Sequence, residues 1–367
     1  MRRGIWWLTA ILFIFNITLP VGSGATASQE LRVDAQSGAG NHTAGNQAVP
    51  IARQDYYINS LPEKYSYDNF LADMEKMAKE NGDKLQCVKL CDTADGRGVY
   101  DIILGNPHGS NQILIFGAMH AREYITSQLV MGQLCDALDV LNGVSEETTY
   151  RGISKRYLLD NVTIHFIPMN NPDGVSISQF GLAGIRDPEL RQRVSEMPHR
   201  AYEQWKANAR GVDLNRNFDA DWQNYVGAPS PSSSRYKGAY PGSEPEAAAL
   251  IDLTSQYHIQ RAISYHTCGA LIYWYYKQQG DVLAKSHRFA QGISDETGYP
   301  LDDDYTAVDA AGYKDWAVYH MGVPAITIET GDEMDRSIIN PVPMDRFADI
   351  WDRNKNVVYA TAYDLLY

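Results

Sequence analysis

Four short apolar runs punctuate the chain: QILIFGAM (112–119), VTIHFIPM (162–169), RAISYH (261–266) and AITIE (325–329). Stretches of helical periodicity such as TSQLVMGQLCDALDVL (126–141) are set among them. A strand that is apolar on both faces needs cover on both faces, and intervening helices supply it. The pattern predicts an α/β fold: a mixed, mostly parallel central sheet with helices on both faces, an α/β/α sandwich. Upstream, LQCVKLC and VYDIILG read as two further strands around a turn at Asp95-Gly96. The stripe Phe70, Leu71, Met74, Met77 and Ala78 reads as a core-packed helix, with Gly82 as its stop.

The N-terminal segment does not share this pattern. A basic MRRG start, the apolar run Ile5 to Phe15 and the small-x-small triplet Ala25-Thr26-Ala27 read as a secretory signal peptide, residues 1–27. The run is interrupted at Asn16 and ended by Pro20, which makes it short for a membrane span; a retained anchor is the alternative. Residues 28–54, rich in Gly, Ala, Ser, Gln and Asn, read as a flexible spacer, and 55–367 as one folded domain. A secreted, extracellular or cell-wall-associated monomer without stable membrane insertion is therefore expected. The formal net charge of −13 argues against nucleic acid or an anionic membrane surface as partner. Four cysteines occur, at 87, 91, 135 and 268. On one strand Cys87 and Cys91 would lie about 13 Å apart, beyond the reach of a mutual disulfide.

Sheets of this kind bind ligands beyond the carboxyl ends of their strands, and that is where the polar residues fall. His120 and Glu123 follow the first run, Asn171-Pro172-Asp173-Gly174 the second, His266 ends the third and Glu329 the fourth. A His and a Glu three residues apart face one point in a turn or helix. A catalytic zinc takes two His and one Glu and leaves a fourth position open. The alternative is a helix-start carboxylate beside a polar histidine. His266 is the best-placed second histidine; His165, inside a strand, reads as packed. Glu329 at a strand end suits a general base, or a salt-bridged structural glutamate. In GVDLNRNFDADW (211–222), Asn215 and Arg216 offer a carboxylate clamp, or an ordinary Asn-rich loop.

HAREY, NPDG, GVDLNRNF, SYHT and TIETG, in this order, resemble the zinc carboxypeptidase family, from about Tyr57 to the C-terminus. The resemblance implies one Zn²⁺ held by His120, Glu123 and His266, with Glu329 as general base and proton shuttle. It implies that Asn215 and Arg216 grip the carboxylate on the leaving side, that Arg122 lines the substrate groove and that a tyrosine caps the pocket, Tyr305 or else Tyr313. The family arginine that stabilises the oxyanion is replaced here by Lys206, with Arg210 as the rival. WKANARGVDLNRNF, SYHTCGALIYW and ITIETG are similar to the bacterial branch that cleaves γ-D-glutamyl–diaminopimelate bonds. Lys314 would then meet an acidic group on the leaving residue, if it is not simply solvated. The expected partner is a peptide, a muropeptide by preference. The alternatives are a general carboxypeptidase releasing C-terminal residues and a non-catalytic wall-binding relative.

Overall fold

The computed structural model describes residues 55–305, 310–332 and 340–367. The expected signal peptide and spacer lie outside the described residues. The described strands are β1 (Leu85–Asp92), β2 (Gly98–Leu104), β3 (Gln112–Phe116), β4 (Thr149–Tyr150), β5 (Ile153–Ser154), β6 (Thr163–Ile167), β7 (Arg261–Thr267), β8 (Leu271–Tyr273) and β9 (Ala325–Thr330). β4 and β5 form a small separate hairpin. The other strands make one sheet in the order β1-β2-β6-β3-β7-β9-β8. β6, β3, β7 and β9 are mutually parallel, and β1, β2 and β8 flank them antiparallel to their neighbours. The expected mixed, mostly parallel sheet is what forms.

Strand side chains alternate between faces, and both faces of β3 are apolar. Ile113 and Ile115 join a core with Phe166, Ile263 and Ile328, covered by the helices Tyr67–Glu80, Ile125–Asn142 and Val357–Leu366. Leu114 and Phe116 join a core on the other face with Ile167 and Ala262, covered by the helices Pro245–Gln256 and Tyr313–Tyr319. The helix Tyr67–Glu80 buries Phe70, Met74 and Met77, as its stripe predicts, and starts on Ser66, whose Oγ accepts from the Asn69 N–H at 3.2 Å. Asn81 caps its C-terminus, so the helix ends at Glu80, two residues before Gly82. Among the described residues no disulfide forms, and no helix is long and apolar enough to cross a membrane.

The carboxyl end of β3 turns sharply into the helix Ile125–Asn142. A Cβ on Gly117 would lie 2.9 Å from the Thr126 carbonyl, so the approach admits glycine only. Ala118 follows in the left-handed region at φ 49°, its N–H donating to Thr126 Oγ at 2.8 Å. Thr126 Oγ in turn donates to the Glu123 carbonyl at 2.7 Å. This clasp fixes the turn that carries His120 and Glu123.

Candidate functional site

His120 closes that turn, and Ala121–Glu123 forms one 3₁₀ turn. The turn folds the Glu123 carboxylate back on its neighbour, with Oε1 3.0 Å from His120 Nδ1. β7 adds His266, whose Nδ1 lies 2.9 Å from Glu123 Oε2 and 2.9 Å from His120 Nδ1. All three side chains are buried, and their donor atoms lie within 4.8 Å of one another. Two imidazole nitrogens and a carboxylate aimed at one buried point make the donor set of a catalytic zinc, so these residues fit that ion. Burial opposes ionisation of Glu123, but the two imidazoles hold its carboxyl well below the usual range.

His120 is oriented from behind. Its Nε2 lies 3.2 Å from Asp213 Oδ1, and Asp213 Oδ2 accepts from the Arg235 N–H at 3.0 Å. Burial disfavours the charge on Asp213, yet Lys206, His120 and Arg216 together hold its carboxyl well below the usual range. A carboxylate behind a ligating imidazole fixes its ring and tautomer. In GVDLNRNF the sequence draws attention to Asn215 and Arg216, and Asp213 is the functional residue it does not single out. The available signal was chemical: a ligating histidine needs such a partner, and an acid stands in the same motif.

Parallel pairing of β7 and β9 sets Glu329 directly beside His266. Burial pushes the Glu329 carboxyl up to about 7; His266 counteracts it, Glu123 adds to it, and Lys206 and Arg122 oppose it. Glu329, Lys206, Arg122, Thr267, Cys268 and Asn340 share the wall of a cleft of about 270 Å³ that also takes in His120 and Glu123. Asn171 ties its two sides together, its Nδ2 donating to the Met119 and Ala207 carbonyls, each at 3.1 Å. The Ala121 N–H completes the tie on the Lys206 carbonyl at 3.0 Å.

The remaining expected residues separate. Lys206 lines the cleft, whereas Arg210 is half-exposed, lies 3.8 Å from Glu244 and is not part of the cleft wall. Asn215 Oδ1 accepts from the Tyr313 N–H at 3.1 Å, and the Arg216 guanidinium donates to the Asn215 carbonyl at 2.6 Å and lies over the Tyr225 ring. Tyr305 is half-exposed and packs edge-on against Trp274 and Tyr275. Tyr313 is buried in the core between Phe116 and Phe218 with its hydroxyl 2.9 Å from Thr254 Oγ, which removes it as a pocket cap. Lys314 donates to the Tyr275 carbonyl at 2.8 Å and pairs with Asp315 at 2.6 Å. Its charge is therefore committed within the protein, against the expectation that it meets an acidic leaving residue. His165 is packed, as expected, between Asp101 at 2.7 Å and Gln112 at 3.0 Å.

Comparison with known proteins gives matches over most of the chain. The family model described as zinc carboxypeptidase matches residues 70–356. A gamma-D-glutamyl-L-diamino acid endopeptidase of Lysinibacillus sphaericus is 30% identical over 82% of this chain and 73% of its own. The uncharacterized protein YqgT of Bacillus subtilis is 25% identical over 76% of this chain and 72% of its own. Among solved structures, that of thrombin activatable fibrinolysis inhibitor superposes with a TM-score of 0.68 at 20% identity, covering 87% of this chain and 77% of that one, and speaks to the fold.

Proposed function

Because the chain belongs to the zinc carboxypeptidase family, we propose that it hydrolyses the amide between a γ-D-glutamyl residue and a diaminopimelate residue in cell-wall peptides, as an exported enzyme carrying one zinc. The observation that carries the reaction is the placement of Glu329 beside His266 on the rim of the His120–Glu123–His266 cluster. The likeness to the L. sphaericus endopeptidase supports the substrate.

His120, Glu123 and His266 would hold the zinc, which would supply Lewis acidity toward the scissile carbonyl. Glu329 takes the proton of the attacking water and passes it to the departing amine. A carboxyl whose affinity for protons lies near neutrality suits both transfers. Lys206, on the cleft wall, faces the oxygen that gains charge in the tetrahedral adduct; an ammonium there acts as a point charge. Asp213 holds His120 in position. Asn215 and Arg216 are assigned to the free carboxylate of the leaving residue. Tyr305, half-exposed on its aromatic neighbours, is the capping residue.

The test offers the purified enzyme L-Ala-γ-D-Glu-diaminopimelate beside blocked dipeptides ending in Phe, Arg and Glu, with and without chelator, and reads products by mass spectrometry. Chelator-sensitive release of diaminopimelate alone supports the reading. Release of ordinary C-terminal residues instead keeps the peptidase and removes the wall-peptide substrate.

A further inference from the structure

We infer that Arg122 binds the free α-carboxylate of the γ-glutamyl residue on the acyl side of the scissile bond, and so favours γ-glutamyl substrates over peptides whose acyl-side residue carries no carboxylate. The inference rests on the proposed wall-peptide reading and deepens it. In a γ-linked glutamyl amide the chain continues through the side-chain carboxyl. The α-carboxylate is left as a free anion a few bonds from the reacting carbonyl. In an α-linked peptide whose acyl-side residue has an uncharged side chain no anion stands at that place, so a cation there favours the γ-glutamyl substrate over such peptides.

Arg122 meets the geometric requirements. It lies on the cleft wall with Lys206, Asn340 and Thr267, whereas neither Asn215 nor Arg216 is part of that wall. The proposed function assigns the leaving residue to Asn215 and Arg216, which leaves the Arg122 wall for the acyl-side residue. One arm of the guanidinium is already fixed: Nη1 donates to Gln204 Oε1 at 3.2 Å. Nε is buried and has no hydrogen-bond partner among the described residues. A buried donor left without a partner costs free energy that a ligand would recover. The Nε–Nη2 edge is one of the two forks with which arginine clasps a carboxylate through parallel hydrogen bonds.

The surrounding groups support this use. Gln204 is braced in turn, its Nε2 donating to the Asn340 carbonyl, and Asn340 Oδ1 accepts from Thr267 Oγ at 2.8 Å. The arm holding Arg122 is thus tied to the strand that carries His266, and the guanidinium is positioned relative to the reacting centre. Among the described residues Lys206 is the other lysine or arginine of the wall, and it is assigned to the developing oxyanion. Glu329, Glu123 and Asp213 supply the negative charge on this edge, and Arg122 offsets Glu329.

The experiment is a two-by-two comparison. One axis is wild type against Arg122→Gln, both metal-loaded. The other is L-Ala-γ-D-Glu-diaminopimelate against the same peptide with the glutamyl α-carboxylate converted to its primary amide. Wild type is expected to lose about 10- to 100-fold in kcat/KM on amidation, the range of a charged hydrogen bond removed from a buried site. Arg122→Gln is expected to cleave both peptides with equal kcat/KM, the preference for the acid being lost. Arg122→Lys should regain part of the preference. Binding of the two peptides to the Glu329→Gln protein, measured by calorimetry, should show the same preference without turnover. Equal cleavage of acid and amide by wild type overturns the inference and leaves the wall-peptide substrate standing. An undiminished preference for the acid in Arg122→Gln overturns it in favour of another cation. Cleavage of neither peptide, with release from blocked dipeptides, removes the substrate reading and this inference with it. Should Arg122→Gln not fold, Arg122→Lys and the wild-type comparison carry the test.

Discussion

Glu246→Gln should make the protein's stability less sensitive to rising pH. Glu246 sits in the first turn of the helix Pro245–Gln256 and is fully buried. Its oxygens reach the Asn208 amide only at 3.4 and 3.5 Å, because Glu244 takes the same amide at 2.8 Å. Burial pushes its carboxyl up from 4.5 to about 8, with Glu244 and Asp173 adding to the rise. The folded chain therefore keeps a proton that the unfolded chain has released between these two values. Stability from this group is full below the unfolded value and is lost as pH climbs toward the folded one. At about 1.4 kcal/mol per pH unit, moving from about pH 5 to about pH 7.5 removes at most about 3.4 kcal/mol, and relaxation around the charge brings this nearer 2 kcal/mol. Glutamine does not titrate, so the stability of Glu246→Gln relative to wild type should rise by about 2 kcal/mol over that interval. Urea unfolding of the metal-loaded proteins, followed by tryptophan fluorescence at both pH values, reads the difference. A relative stability constant within about 0.5 kcal/mol would refute the buried-proton argument. The location matters for the site, because Asn208 Oδ1 also accepts the Arg210 and Val212 N–H groups and so shapes the segment between Lys206 and Asp213.

Glu329→Gln should retain metal at wild-type stoichiometry by emission spectrometry while kcat falls by about 10²- to 10⁴-fold; full turnover would remove the base assignment. Asp213→Asn should weaken metal binding about 10- to 100-fold in a chelator competition, and an unchanged affinity would show that the carboxylate does not orient His120. Arg97 donates to Asp95 at 2.5 Å and to Asp173 at 3.0 Å, all three being buried. Arg97→Met leaves two buried carboxylates without their cation and should cost about 3–5 kcal/mol in denaturant unfolding; a loss under about 1 kcal/mol would contradict this.

Much of the fold was legible because its signals are local. ILIF (113–116) is apolar at every position, as a strand covered on both faces requires; the structure covers Ile113 and Ile115 on one face and Leu114 and Phe116 on the other. The helix Tyr67–Glu80 announced itself by its stripe. The residues His120, Glu123, His266 and Glu329 stood out because each is polar at the end of an apolar strand, where burial without a purpose is costly.

What stayed illegible depends on partners distant in sequence. Tyr305 and Tyr313 are chemically identical candidates, and only packing puts one on the surface and the other between Phe116 and Phe218. Lys314 reads as a free cation until Asp315 and the Tyr275 carbonyl claim it. Asp213 gains its meaning only where the chain returns behind His120. The sequence by itself determined the sheet, its two-sided cover and the chemical types gathered along one edge, because strand burial and strand-end polarity are written residue by residue. The tertiary structure alone decided which of those polar groups meet. Parallel register places Glu329 beside His266, and the contacts His266–Glu123 and Arg122–Gln204 join chain segments 143 and 82 residues apart.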